Sequence, residues 1–285
     1  MKKKSFLIVL GVCIGTTGFV WGTNDKPLYK NPDAPIENRV EDLLRRMTLQ
    51  EKVLQLQNKP VGRIDEIERV FGGQSYGCTH EMGQTAEECA RIYNELQNYM
   101  LTKTRLGIPI LTAVEGIQGI LQNNSTLFPH AIAQGSTFNP GLIERMTEAA
   151  GAEAATMGIH QVLSPVFDIA RELRWGRVEE TYGEDPYLIA EMGIGFVKGY
   201  QKHRITCTPK HFVAHGTPTG GLNCAFVSGG EREFRSMHLY PFARVIKEAD
   251  PLCIMSCYSA YDGIPVSASP YYMTCLLYTS PSPRD

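Results

Sequence analysis

The sequence predicts an α/β fold built on a parallel sheet, because short apolar runs alternate with longer helical patterns along the chain. The runs are too short for helices and are rich in Val, Ile, Leu, Cys and Thr, which is typical of buried strands. They cover residues 108–114, 161–166, 205–209 and 252–256. Strands that alternate with helices require crossover connections, which make neighbouring strands parallel. The pattern is compatible with a closed or an open sheet.

The first helical pattern covers residues 40–57, where apolar side chains recur at helical spacing. Thr48 and Glu51 form a capping box within it, so two short helices that meet at Thr48 are predicted. A polar segment over residues 23–38 precedes this pattern and is interpreted as a linker to a domain over residues 39–274.

Three longer helices are predicted between and after the strands. Asn139 is placed to cap a helix over residues 140–157, and Asp185 is placed to cap one over residues 187–202. A proline follows each of these caps, as is common in the first turn of a helix. The third helix covers residues 231–249.

The N-terminal segment is typical of an export signal. Residues 1–22 join three lysines to a short apolar run that glycines and threonines interrupt, which favours a cleavable signal peptide over a membrane span. We therefore expect a periplasmic or extracellular protein that no membrane holds after cleavage. Lipoprotein anchoring at Cys13 is a less favoured alternative.

The composition argues against several classes of function. A chain of 285 residues, 43% hydrophobic and 20% charged, can bury a large core. Its formal net charge of -2 creates no field that would attract nucleic acid or an anionic membrane, so neither is expected as a partner. Cys253 and Cys257 have no second pair of ligands at metal spacing, so no zinc site is expected.

Polar side chains follow each predicted strand. They are Glu115, Asp168, the pair Lys210 and His211, and Tyr258. In a (β/α) barrel the carboxyl ends of the strands face one mouth, where the active site is built, so one pocket of mixed charge is expected. For any single residue the alternative is a side chain that is polar because it reaches solvent, and four such positions weaken that alternative.

The stretch over residues 171–186 surrounds Trp175 with charges of both signs. Sugars present hydroxyl groups to charged side chains and C–H faces to aromatic rings, so this cluster suits a carbohydrate site. Composition alone slightly favours the alternative, a salt-bridged surface loop that Asp185 caps into the next helix.

This stretch and five other motifs, in this order and spacing, resemble glycoside hydrolase family 3. The motifs are RVEDLLRRMTL at 39–49, RLGIPI at 105–110, RELRWGRVEETYGEDP at 171–186, KHF at 210–212, GGLN at 220–223 and MSCY at 255–258. The resemblance covers roughly residues 28–274 and implies an α/β fold of the (β/α)8 TIM-like barrel type. The barrel would be incomplete, with its later strands missing.

The resemblance implies an enzyme that releases terminal β-D-glucose or β-D-xylose from β-linked oligosaccharides or glycosides, with retention of configuration and without a cofactor. The substrate-binding residues it implies are Glu115, Arg177, Lys210, His211 and Tyr258 around the sugar, with Met255 against its apolar face. The family more often has Asp at the position of Glu115, and the longer side chain would shift the hydroxyl group that it binds. The oligomeric state is left open.

A retaining glycosidase needs a carboxylate nucleophile and a carboxyl acid/base about 5 Å apart. The resemblance places the nucleophile, an Asp, downstream of Thr274 and the acid/base in a second α/β domain. The chain is therefore expected to lack both and to be inactive, and a non-catalytic carbohydrate-binding protein is the alternative. Residues 275–285, where two prolines would stop the family's helix, are interpreted as a foreign tail.

His215 is expected to be structural. One branch of the family has a catalytic His in a KHFPGHG pattern, but residues 210–216 read KHFVAHG, without the Pro-Gly pair. His211 and His215 are spaced like a metal-binding pair on a helix, but no third ligand accompanies them.

Overall fold

The structure is a computed structural model that describes residues 27–80 and 83–277. The predicted signal over residues 1–22, with Cys13, and residues 278–285 of the predicted tail lie outside the described residues. The chain divides into two units between Met47 and Thr48. In the described part of the chain, no helix has the length and apolar character needed to cross a membrane.

The first unit contains a 3-10 turn at Leu28–Lys30 and the helix α1 (Ile36–Arg46). Asp42 joins the two, because its carboxylate accepts a hydrogen bond from the Tyr29 amide at 3.1 Å and from the Arg46 guanidinium at 2.9 Å. The Arg46 hydrogen bond, more than any other contact, holds the pKa of Asp42 below its usual value. Helix α1 begins at Ile36, which lies inside the segment 23–38 that was predicted as a linker.

The second unit alternates helices with short strands. Its helices are α2 (Leu49–Leu54), α3 (Ile67–Phe71), α4 (Ala86–Lys103), α5 (Ala131–Gly135), α6 (Pro140–Thr156), α7 (Pro186–Gln201), α8 (Glu231–Glu233) and α9 (Tyr240–Ala249). Its strands are β1 (Cys78–His80), β2 (Leu111–Val114), β3 (Gln161–Val162), β4 (Thr206–Cys207), β5 (Ala260–Tyr261) and β6 (Ile264–Pro265). Short π-helical segments are found at Phe234–His238 and at Tyr271–Leu276.

Strands β1 to β4 form one parallel sheet in chain order. This confirms the predicted α/β class and the parallel sheet. Among the described strands, no pairing closes this sheet into a barrel, and β5 and β6 form a separate antiparallel pair.

The sheet differs from the sequence prediction at both ends. Strand β1 was not predicted, because its three residues, Cys, Thr and His, form no apolar run. Residues 252–256 were predicted as a strand but are represented by a single parallel bridge between Phe212 and Ser256. The backbone there still pairs, since the Phe212 amide donates to the Met255 carbonyl at 2.7 Å.

Side chains alternate between the two faces of the sheet. Val114, Val162 and Cys207 are fully buried, and they belong to the core that the sheet shares with helices such as α6 and α7. Because successive residues of a strand point to opposite faces, the position after Val114 points away from that core. This position is Glu115, which lies at the carboxyl end of β2.

Helices α6 and α7 approach closely because glycines of α7 face α6. A methyl group added at Gly199 would lie 2.0 Å from the Thr147 hydroxyl oxygen and 2.4 Å from the Glu144 carbonyl oxygen. One added at Gly195 would lie 2.6 Å from the Pro140 carbonyl oxygen. These contacts leave no room for a side chain.

We expect Gly199→Ala to lower the free energy of unfolding by about 1–3 kcal/mol, since the added methyl group forces the two helices apart. Urea denaturation followed by circular dichroism measures this. Gly230→Ala is the control, because a methyl group there meets nothing within 4 Å, and we expect a change of less than about 1 kcal/mol. Equal stability of the Gly199→Ala variant and the unsubstituted chain would contradict the close packing.

Candidate functional site

Glu115 and Lys210 form a charge pair at the ends of two strands. Glu115 follows β2 directly, and Lys210 lies three residues beyond the end of β4. The Lys210 ammonium Nζ donates a hydrogen bond to Glu115 Oε2 at 2.7 Å. The Lys210 side chain is 4% exposed and the Glu115 side chain 32%. The carboxylate is therefore the more accessible member of the pair.

His211 and Asp168 form a second pair, which is wholly buried. His211 Nδ1 lies 2.7 Å from Asp168 Oδ2, and the two side chains are 2% and 0% exposed. Burial acts to raise the pKa of Asp168, but the neighbouring His211, His215 and Arg177 outweigh it, so that the pKa is lowered overall. Asp168 is thus a carboxylate that is held inside the protein.

Arg177 lies close to both pairs. Its guanidinium donates two hydrogen bonds to the Glu180 carboxylate, at 2.7 and 2.8 Å, and lies 5.9 Å from the centre of the Trp175 ring. The hydrogen bond to Glu180 raises the pKa of Arg177, and the charges of Asp168 and Glu115 raise it further. Arg177 therefore adds a positive charge to the same end of the sheet.

Met255 and Tyr258 lie on the segment that runs beside Lys210 and His211. The Met255 amide donates to the Pro209 carbonyl at 3.1 Å, and the Met255 carbonyl accepts from the Phe212 amide. The Tyr258 ring lies 6.1 Å from the His211 ring and is 64% exposed. The structure thus brings the predicted site residues onto neighbouring segments, and their role as sugar ligands stays a prediction.

Trp175 has a different position from the one its motif suggested. It is 2% exposed, so its ring cannot offer a face to a sugar, and the exposed aromatic ring of the site is that of Tyr258. Trp175 Nε1 instead donates to Asn223 Oδ1 at 3.0 Å, and its ring packs edge-on against His215 at 5.4 Å. Asn223 of the GGLN motif therefore helps to hold Trp175 beneath the site. Sequence reasoning did not assign this supporting role to the motif.

His215 is fully buried and belongs to this support. Its Nδ1 lies 2.9 Å from the Ser259 hydroxyl oxygen, and burial lowers its pKa. Its ring also packs against the His211 ring, with the centres 4.8 Å apart. Within residues 27–80 and 83–277, no three His, Cys, Asp or Glu side chains are grouped as metal ligands.

The fold and the arrangement of the site residues are compatible with a glycoside hydrolase, and a comparison with protein families identifies the family. The family model for the glycosyl hydrolase family 3 N terminal domain matches residues 48–280 of this chain. The chain therefore belongs to glycosyl hydrolase family 3, and the membership predicted from the motifs is confirmed.

Curated and solved relatives agree with this assignment. The chain is similar to a β-xylosidase from Formosa agariphila, with 30% identity over 97% of this chain and 34% of the relative. It also resembles the solved β-glucosidase EmGH1 from Erythrobacter marinus, with a TM-score of 0.79, 29% identity, and coverage of 89% of this chain and 36% of that one. A β-glucosidase from Listeria innocua superimposes with a TM-score of 0.73 at 27% identity, over 85% of this chain and 35% of that one. The chain thus spans about a third of the length of these relatives.

Proposed function

We propose that this chain carries the terminal-sugar pocket of a retaining glycosidase that releases β-D-glucose or β-D-xylose from β-linked oligosaccharides and glycosides. One observation carries the proposal: two hydrogen-bonded pairs, Glu115 with Lys210 and Asp168 with His211, each joined at 2.7 Å, lie together at the strand ends. Glu115 can accept hydrogen bonds from sugar hydroxyl groups, and Lys210 and Arg177 can donate charge-assisted ones. The exposed ring of Tyr258 offers an apolar face to the sugar ring. Hydrolysis of this kind uses carboxyl groups and needs no cofactor.

The relatives support this choice of sugars. The β-glucosidase from Listeria innocua, which is 27% identical to this chain, has been solved in complex with glucose. A mutant of it, 28% identical in the comparison, has been solved with laminaribiose. The Formosa relative is named a β-xylosidase.

We also propose that the four-stranded sheet is the first part of a (β/α)8 barrel. Its strands follow one another in chain order, as the strands of such a barrel do. Leu111 is 53% exposed and lies four residues before Glu115, so it points to the same face of the sheet. Further strands would cover this apolar side chain.

We propose that this chain binds the sugar without cleaving it. The carboxylates of the site are all paired with a cation or an imidazole: Glu115 with Lys210, Asp168 with His211, and Glu180 with Arg177. A nucleophile and an acid/base must instead face each other across the scissile bond. Their source would be the segment that the family places downstream of Thr274 and a second domain. The alternative to a part of an active glycosidase is a carbohydrate-binding pseudoenzyme, which recognises the sugar and has no catalytic activity at all.

Calorimetry with glucose and xylose, combined with an assay on aryl β-glucosides and β-xylosides, tests both parts of the proposal. We expect binding with a Kd on the order of 1 mM and no turnover by the 285-residue chain. If neither glucose nor xylose produced a heat of binding, the proposed sugar pocket would be contradicted. Turnover that Glu115→Gln abolishes would contradict binding without cleavage.

We expect Glu115→Asp to raise the affinity for glucose relative to xylose by about tenfold, because a methylene in a pocket is worth about 1–3 kcal/mol. The shorter side chain withdraws the carboxylate and leaves room for the hydroxymethyl group that xylose lacks. Calorimetric titration of both sugars measures the ratio. Glu148→Asp, at a carboxylate that pairs with Lys202 elsewhere in the chain, is the control. A ratio unchanged by Glu115→Asp would remove Glu115 as a selectivity determinant.

We propose that the protein is exported. The lysines and apolar run of residues 1–22 support this, and a relative from Salmonella typhimurium, 26% identical over 84% of this chain, is named a periplasmic β-glucosidase. Mass spectrometry of the protein recovered outside the cytoplasm would detect cleavage near residue 22. Protein that stays in the cytoplasm at its full mass would contradict export.

A further inference from the structure

Asp168 is a buried carboxylate to which the proposed sugar contacts assign no role. Its side chain is 0% exposed and is packed against Gly216, where an added methyl group would lie 2.8 Å from Asp168 Cβ. One oxygen, Oδ2, lies 2.7 Å from His211 Nδ1. The other, Oδ1, is buried without a hydrogen-bond partner among the described residues. His211 is therefore the polar group that this carboxylate serves.

We infer that Asp168 is a positioning residue that holds the proton of His211 on Nδ1 and thereby makes Nε2 the nitrogen presented to the sugar. This inference rests on the proposed sugar pocket and adds to it a fixed tautomer. A carboxylate can only accept hydrogen bonds, so the nitrogen that faces it must carry the hydrogen. The contact is direct and is shielded from water.

The ring of His211 is also held on its other sides. The rings of His215 and Tyr258 have their centres 4.8 and 6.1 Å from it. His215 is in turn fixed by the Ser259 hydroxyl at 2.9 Å. The His211 ring therefore cannot rotate to exchange its two nitrogens without breaking this packing.

Fixing the tautomer determines which hydrogen bonds the pocket can form. Lys210 and Arg177 can only donate, whereas Nε2 of a neutral His211 with its proton on Nδ1 accepts. A sugar hydroxyl both donates and accepts, so a pocket with groups of both kinds can satisfy neighbouring hydroxyls. If the proton moved to Nε2, a hydroxyl that donates to this nitrogen would lose its acceptor. We expect such a loss to weaken sugar binding by about tenfold to a hundredfold.

Long-range ¹H–¹⁵N correlation spectra of the 285-residue chain, labelled with ¹⁵N-histidine, read the tautomer directly. We expect the unsubstituted chain to carry the His211 proton on Nδ1. Asp168→Asn should mix or reverse the tautomer, because an amide donates as well as accepts, and should lower sugar affinity by the factor given above. Ser259→Ala is the matched control and should change the signals of His215 while the tautomer of His211 is kept.

Several outcomes separate this inference from the proposed function. A neutral His211 with its proton on Nε2 in the unsubstituted chain would overturn the inference, even if no variant folds. An unchanged tautomer in Asp168→Asn, or sugar affinity equal to that of the unsubstituted chain, would also overturn it. If the unsubstituted chain shows the expected tautomer but binds neither glucose nor xylose, the proposed function fails.

Discussion

Trp175→Ala should lower the free energy of unfolding of the chain by about 3–5 kcal/mol, which is the range found when a buried Trp or Phe is truncated. The ring is 2% exposed and its removal leaves a cavity beneath the site. The variant also loses the hydrogen bond from Nε1 to Asn223 and the edge-on contact with His215. Urea denaturation followed by circular dichroism measures the change. The urea concentration at the midpoint of unfolding should fall, while the dependence of the unfolding free energy on urea concentration should stay constant.

Trp175→Phe separates the ring from its N–H group. A phenyl ring fills most of the space, but Asn223 Oδ1 loses its donor, so we expect a smaller loss of about 1–3 kcal/mol. If Trp175→Ala changed stability by less than Trp175→Phe, packing beneath the site would not be the role of Trp175. Leu173→Ala is a control on the same loop, because Leu173 is 77% exposed, and should leave stability nearly unchanged.

Helix ends could be predicted from the sequence because their signals are local. Asn139 and Asp185 were predicted as caps, and their side chains accept hydrogen bonds from backbone amides three residues ahead, at 3.0 and 2.7 Å. The capping box of Thr48 and Glu51 is also present, and along the chain α1 ends before Thr48 and α2 begins directly after it. In each case the two partners lie within one turn of chain, so a short pattern contains the whole interaction.

The partners within the site could not be predicted in this way. The sequence placed polar residues at the strand ends, but Lys210 and Glu115 are 95 residues apart and Trp175 and Asn223 are 48 apart. Which of them meet depends on strand register and on the path of the loops, and no local pattern contains this information. Burial follows from the same contacts, and this is why Trp175 could be read as a sugar platform from its motif although it lies inside the protein.

Lys210→Met should abolish detectable sugar binding. Lys210 is proposed to donate to a sugar hydroxyl group, and truncating a buried charged group that contacts the bound partner costs about 2–5 kcal/mol of binding free energy, so the affinity should fall at least thirtyfold. The substitution keeps the length of the side chain but removes the donor that lies 2.7 Å from Glu115 Oε2. Glu115 then keeps its negative charge without its partner, and its 32% exposed side chain is free to turn toward water and away from the sugar. Calorimetric titration with glucose and xylose measures the loss.

A control variant shows whether this loss belongs to the site. Lys202→Met removes another lysine whose ammonium bonds two carboxylates, Glu144 and Glu148, at 2.8 Å, but its side chain is 42% exposed. We expect it to bind sugar like the unsubstituted chain. Circular dichroism must show that Lys210→Met remains folded, since an unfolded variant binds nothing. If Lys210→Met is folded and binds either sugar with unchanged affinity, the pair of Lys210 and Glu115 does not belong to the sugar pocket.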